Sequence, residues 1–234
     1  MAKGNHRITG GKGEHRTNCI RCGTCCLKGG PTLHREDAPL FVNGILKRGH
    51  VYTLRKGEVV RGIDDTPMIL EREMVKIKGQ SKGWTCIFYD EDLKACEIYN
   101  RRPIECRVLK CWDLKDIKEV MARPRLQRKD LIDPDDEILK IIDAHEQRCA
   151  YETLELAVRG LAGPHPEKAV ETILDFLQYD HYMRPLIGEK LKVAANAMDF
   201  LFGRALTTTI GMFGLCVKQD GDSFVLGRAE PKSS

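Results

Sequence analysis

Four cysteines stand within eight residues, Cys19, Cys22, Cys25 and Cys26, in the run CIRCGTCC. No other feature of the chain limits its fold as strongly. A stretch this rich in Cys and Gly favours a loop over regular structure. Two-residue spacers let one loop turn successive thiolates toward a single centre, and Gly23 permits the backbone angles such a wrap needs. Cys26 follows Cys25 directly. Adjacent side chains tend to point apart, so the pair is expected to serve different irons of one cluster, or to leave one sulfur outside the site.

A second group, Cys86, Cys96, Cys106 and Cys111, lies farther along the chain. If the segments around Cys86 and Cys96 pair as short strands, and the chain returns after Tyr99, Cys106 reaches the same place. A loop and a hairpin would then close a four-thiolate site. Such a site contributes large folding energy, roughly 10–16 kcal/mol for structural zinc in small peptides. Four thiolates carry net negative charge that is costly to bury alone. Arg101, Arg102 and Arg107 bracket Cys106. Arg102 and Arg107 are the candidates to offset that charge and to donate hydrogen bonds to sulfur. Zinc sites usually read as two well-separated C-x2-C pairs. Here the first motif has four cysteines and the second group has no such pair. The spacing therefore points to an iron–sulfur cluster, most simply 4Fe-4S, with zinc as the alternative; the opening is similar to the C-x2-C-x2-C run of bacterial ferredoxins.

The rest of the chain sets bounds. It has 234 residues, ten of them Cys, 42% hydrophobic residues and a formal net charge of +4. This suits one sizeable domain or two small ones and selects no partner by charge. The opening residues are polar with no apolar run, so a cytoplasmic, reducing setting is expected, where free thiols favour metal over disulfides. The apolar stretch from Val193 to Val217 carries Asp199 and Arg204, which argues against a membrane span. Between Arg101 and Lys129 ten basic residues face four acidic ones. Aromatics for base stacking are nearly absent there, which argues against nucleic acid and leaves a protein redox or client partner as the expected one. His145 and Cys149 lie one helical turn apart and read as a half-buried helix face rather than a clamp. Cys216 reads as a small hydrophobe. No catalytic triad is visible.

The expected fold is α+β: a cysteine-rich module with a small antiparallel sheet packed on a helical C-terminal half. Residues 1–17 read as a flexible tail, 18–123 as the metal-binding module, and 130–234 as a mainly helical domain ending in a hairpin. Within the module, a short helix is expected from Thr32 to about Leu46. HVYTL and EVVRG are expected to pair across Arg55-Lys56-Gly57, a further strand to cover 68–78, and Cys86 and Cys96 to sit on paired strands. Asn100 and Asp113 are expected to cap short helices. Farther on, Asp133-Pro134 should open one long helix to Gly163-Pro164. Two more should follow, at about 166–182 and 187–202, broken at Arg184-Pro185, and then a hairpin turning at Asp220-Gly221.

CIRCGTCC together with WTCIFYDEDLKACEIYNRRPIECR resembles the YkgJ-like cysteine-cluster family of zinc- or iron-chelating proteins. The matching elements are Cys19, Cys22, Cys25, Cys26, Cys86, Cys96-x-Ile98-Tyr99, Arg102-Pro103 and Cys106-Arg107, and Lys110 to Asp113 looks like an extension found in some members. The resemblance implies metal chelation by these cysteines and no particular reaction. A flagellin lysine methylase is similar in its cysteine cluster, but no Gly-rich fingerprint for a methyl-donor nucleotide is present. Three roles remain open: an iron–sulfur protein in a redox or metal-handling accessory role, a zinc-stapled interaction module, and a protein-modifying enzyme with the cluster as accessory centre.

Overall fold

The computed structural model describes residues 19–61, 66–80, 83–221 and 223–229. The expected tail at 1–17 lies outside them. The chain is α+β, with helices concentrated in its C-terminal half. A short helix α1 (Thr24–Leu27) sits inside the Cys-rich run, and α2 (Ala38–Val42) starts late, with Pro39 in its first turn. Then come β1 (Val51–Leu54), β2 (Val59–Arg61), β3 (Pro67–Ile69) and β4 (Met74–Ile77), followed by β5 (Tyr89–Asp90) and β6 (Ala95–Cys96). The helices α3 (Ile104–Val108) and α4 (Lys115–Met121) follow, then α5 (Ile138–Arg148), α6 (Tyr151–Gly160), α7 (Pro166–Leu191), α8 (Met198–Phe202) and α9 (Leu206–Thr209). The chain ends in the expected hairpin, β7 (Leu215–Asp220) against β8 (Ser223–Arg228).

Two strand expectations need correction. β1 does not pair with β2. It pairs antiparallel with β4, Val51 opposite Ile77, while β2 pairs with β3, so 51–77 is one long hairpin in two tiers. Residues 55–58 turn the chain between the tiers. Arg55 N–H donates to the Glu58 carboxylate at 2.9 Å, and the ladder resumes with Gly57 N–H to Leu70 O at 2.8 Å. In the other hairpin Cys96 lies on β6 opposite Tyr89, but Cys86 precedes β5 and bridges Gly79 instead.

Among the short helices, Asp113 does receive the N–H of Lys115 (3.0 Å) at the start of α4, whereas α3 is entered from Pro103 after a 3₁₀ turn at Tyr99–Arg101. The long helices also differ from expectation. The single helix expected from Asp133 breaks into α5 and α6, because the Arg55 guanidinium takes the Cys149 carbonyl (2.8 Å) and Ala150 turns extended. Conversely, α7 runs through Pro185 without a break. An interior proline removes one helical hydrogen bond. Around it, Arg184 is tied back to Asp180 (2.8 Å) and to the Gly203 carbonyl (3.0 Å), which holds α7 against the segment after α8.

One apolar core joins the two halves. Leu33, Val51, Val75, Ile77 and Phe88 pack with Leu126, Ile138, Ile142, Phe200, Leu201 and Phe202. A second core lies between α6, α7, α9 and the terminal hairpin. Buried charge crosses the same boundary. Fully buried Arg55 donates to Glu146 on α5 (2.8 and 3.0 Å), and Arg128 reaches both Glu146 (2.7 Å) and Glu73 (2.9 Å). His145 joins no clamp with Cys149. Its Nε2 bonds Asp180 at 2.8 Å, and Cys149 is buried in the second core. No helix is long and apolar enough to cross a membrane among the described residues.

Candidate metal centre

The Cys-rich loop is fastened to the second cysteine group by backbone and ring contacts. Cys86 N–H donates to the Cys26 carbonyl at 2.8 Å. Lys76 on β4 donates to the Gly30 carbonyl at 2.6 Å. Tyr99 is gripped by two cations, with Arg102 3.6 Å and Arg21 4.0 Å from its ring centroid. Gly23 has φ +74° and lies against the hydroxyl end of the buried Tyr89 ring; a Cβ there would stand 2.6 Å from Tyr89 Cζ and closer still to its oxygen. Only glycine supplies both the left-handed angle and the close approach.

This stitching brings five sulfurs, from Cys25, Cys26, Cys86, Cys96 and Cys106, within electrostatic reach of one another. Cys25 is the most acidic of them. The hydrogen bond from the Cys26 thiol, helped by the charge of Arg102, overcomes burial and brings it down to about 6. Cys26 is pushed up by that same bond and by burial. Cys86, Cys96 and Cys106 are pushed up by burial first, and the neighbouring thiols reinforce this at all three. A metal that binds here displaces protons from reluctant thiols, so its affinity rises with pH.

Cys25 and Cys26 do not point apart. Their sulfurs are 4.0 Å apart. Both residues lie in α1, and successive side chains on a helix diverge by about 100°, not the half-turn of a strand. Two thiolates on one tetrahedral ion, with metal–sulfur bonds of about 2.3 Å, stand about 3.8 Å apart. The pair is therefore spaced to share one metal atom.

Of the other expected ligands, Cys19 and Cys22 are exposed on the same loop, Cys22 with its sulfur 3.3 Å from Thr24 Oγ1, and Cys111 is exposed beyond α3. The charge of Arg102 acts on Cys25 and Cys96, while that of Arg107 acts on Asp37. Lys76 was not singled out from the sequence. It sits at Cys86 and Cys106, and burial lowers its pKa. Its sequence signal is slight: a lysine on the alternate face of an apolar strand, MVKI. Among the described residues, no group of three or more His, Cys, Asp or Glu side chains is already drawn in to the distances that hold an ion. The soft sulfur donors, with two cations beside them, suit zinc, iron or an iron–sulfur cluster. Those that would hold it are the five converged cysteines.

Residues 18–150 match the family model CxxCxxCC, described as a "putative zinc- or iron-chelating domain". The chain belongs to the CxxCxxCC family. Its matched region contains all five converged sulfurs, both cations beside them, and α5, whose Glu146 anchors the hairpin. This CxxCxxCC chain is thus a metal-binding protein of the zinc- or iron-chelating kind. It matches no curated protein and no solved structure.

Proposed function

We propose that the protein carries an iron–sulfur centre in an accessory role, passing electrons or metal to a protein partner. The observation that carries this reading is the number of converged sulfurs. Five thiols lie within electrostatic reach of one another, one more than a closed tetrahedral zinc site takes. Arg102 and Lys76 supply positive charge beside them, which offsets that of a thiolate-bound centre and, by doing so, raises its reduction potential. The centre, when bound, supplies one-electron chemistry. The chain's own residues orient the sulfurs, shield Cys86 in the core, keep Cys106 partly buried, and leave Cys25 at the surface, where a partner would approach.

The 4.0 Å spacing of Cys25 and Cys26 favours a second reading, a single zinc ion that fixes the loop onto the hairpin. Anaerobic purification followed by metal and acid-labile sulfide analysis separates the two. The iron–sulfur reading expects brown protein with iron and sulfide in equal amounts. Colourless protein with one zinc per chain, even when iron is plentiful during expression, would overturn it.

A further inference from the structure

A cleft of about 530 Å³ opens between α2 and the segment from Tyr99 to α3, beside the thiol cluster. Its size lies in the range of small-molecule sites. Arg101, Arg102 and Arg107 line one side, and Pro39, Leu40 and Ile45 give it an apolar side.

The charge of this cleft is unbalanced. Two acids also line it; the charge of Arg107 acts on Asp37, but neither acid forms a direct ion pair with a cleft arginine. Asp37 is buried and spends both oxygens on backbone donors, Oδ2 on His34 N–H (3.0 Å) and Oδ1 on Ile104 N–H (2.8 Å). Glu36 pairs with Arg123 at 3.2 Å. None of the three cleft arginines forms an ion pair with a carboxylate among the described residues. Elsewhere the chain does the opposite. Arg55, Arg128, Arg184 and Arg204 each hold a carboxylate. The Nε of Arg102 is buried without a hydrogen-bond partner, a costly state for a charged donor. Guanidinium groups grip carboxylates and phosphates through paired hydrogen bonds.

We infer that this cleft binds a small organic oxyanion. Its carboxylate or phosphate meets the fork of Arg101, Arg102 and Arg107, and its short hydrocarbon part lies on Pro39, Leu40 and Ile45. The cleft shares Arg102 with the thiol cluster, but its readout is anion binding rather than metal content, so it stands or falls independently of the metal reading.

The test is calorimetric titration of the full-length protein as purified with glutarate, inorganic phosphate and glutaramide as a neutral control. The expected result is saturable binding of glutarate or phosphate at one site per chain, with glutaramide giving none. The tighter of the two anions identifies a carboxylate or a phosphate as the natural group. Arg101→Ala and Arg107→Ala, both at exposed positions, should each weaken binding about tenfold and leave the circular dichroism spectrum unchanged. Absence of saturable heat with both anions, equal binding of glutaramide, or full affinity in both variants would overturn the assignment.

Discussion

Replacing Gly23 by alanine should damage the metal centre without touching a sulfur. Two costs add. The residue sits at φ +74°, where a Cβ costs about 1–2 kcal/mol. The new methyl would also press on Tyr89, 2.6 Å from Cζ and 2.7 Å from Cε2. That ring is only 6% exposed, so it cannot swing clear, and overpacking of this kind costs about 1–3 kcal/mol. The total is about 2–5 kcal/mol, acting at the seam between the Cys25–Cys26 loop and the β5–β6 hairpin. If most of it falls on the metal-bound state, zinc affinity drops by about 30-fold to a few thousand-fold. Chelator competition with zinc measures this directly. Gly44→Ala is the matched control. Gly44 also has a positive φ, +69°, but nothing lies within 4 Å of its added Cβ. That variant should lose about 1–2 kcal/mol of stability and keep its zinc affinity. Adding Tyr89→Phe to Gly23→Ala removes the hydroxyl nearest the methyl and should recover part of the loss. Zinc affinity for Gly23→Ala within threefold of the native protein would refute the claim that this glycine sets the distance between the two cysteine groups.

Four further outcomes are expected. Cys106→Ser should lower zinc affinity more than about 100-fold, while Cys216→Ser, whose thiol only reaches the Arg228 carbonyl (3.3 Å), should stay within about twofold in the same competition assay. Zinc at about 1,000 times its Kd should raise unfolding free energy by about 4 kcal/mol, read in denaturant melts with and without chelator. Glu146→Gln leaves the buried Arg55 guanidinium without its carboxylate and Arg128 with Glu73 alone. Breaking a fully buried pair costs about 3–5 kcal/mol, and because the Glu146 side chain is 28% exposed about 2–3 kcal/mol is expected in urea unfolding. At Asp180, burial works to raise the pKa, but His145, Arg184 and the Leu206 N–H outweigh it and hold the carboxyl down from 3.8 to about 2. A folded-state pKa below the unfolded one means the stabilisation, roughly 2 kcal/mol, is complete above about pH 5 and is lost as the pH falls through about 2. Asp180→Asn should flatten that acid limb, and an unchanged limb would contradict the assignment.

The metal-binding character was legible in the sequence because it depends on local spacing. C-x2-C-x2-C confines three sulfurs to one loop whatever the rest of the chain does. The terminal hairpin was legible for the same reason, with Asp220-Gly221 and flanking apolar runs carrying their own turn chemistry. What failed were predictions of partner or continuity. β1 chose β4 over its sequence neighbour because Glu58 took the Arg55 N–H and turned the chain into a second tier. Arg55 and Cys149 lie 94 residues apart, yet their hydrogen bond helps break the helix expected from Asp133. Pro185 did not break α7, since tertiary contacts through Arg184 hold both sides of it together.

The sequence alone determined that sulfurs would gather, in what chemical company, and roughly where along the chain. Only the tertiary structure decided which sulfurs come within electrostatic reach, that those of Cys25 and Cys26 stand 4.0 Å apart in one helical turn, that Lys76 stands beside the thiols, and that three arginines near them face a cleft without a direct carboxylate pair. Spacing along a chain fixes what is near within a few residues. Which distant groups come together is set by how the whole chain buries its apolar surface and pairs its interior charges, and no local pattern records that.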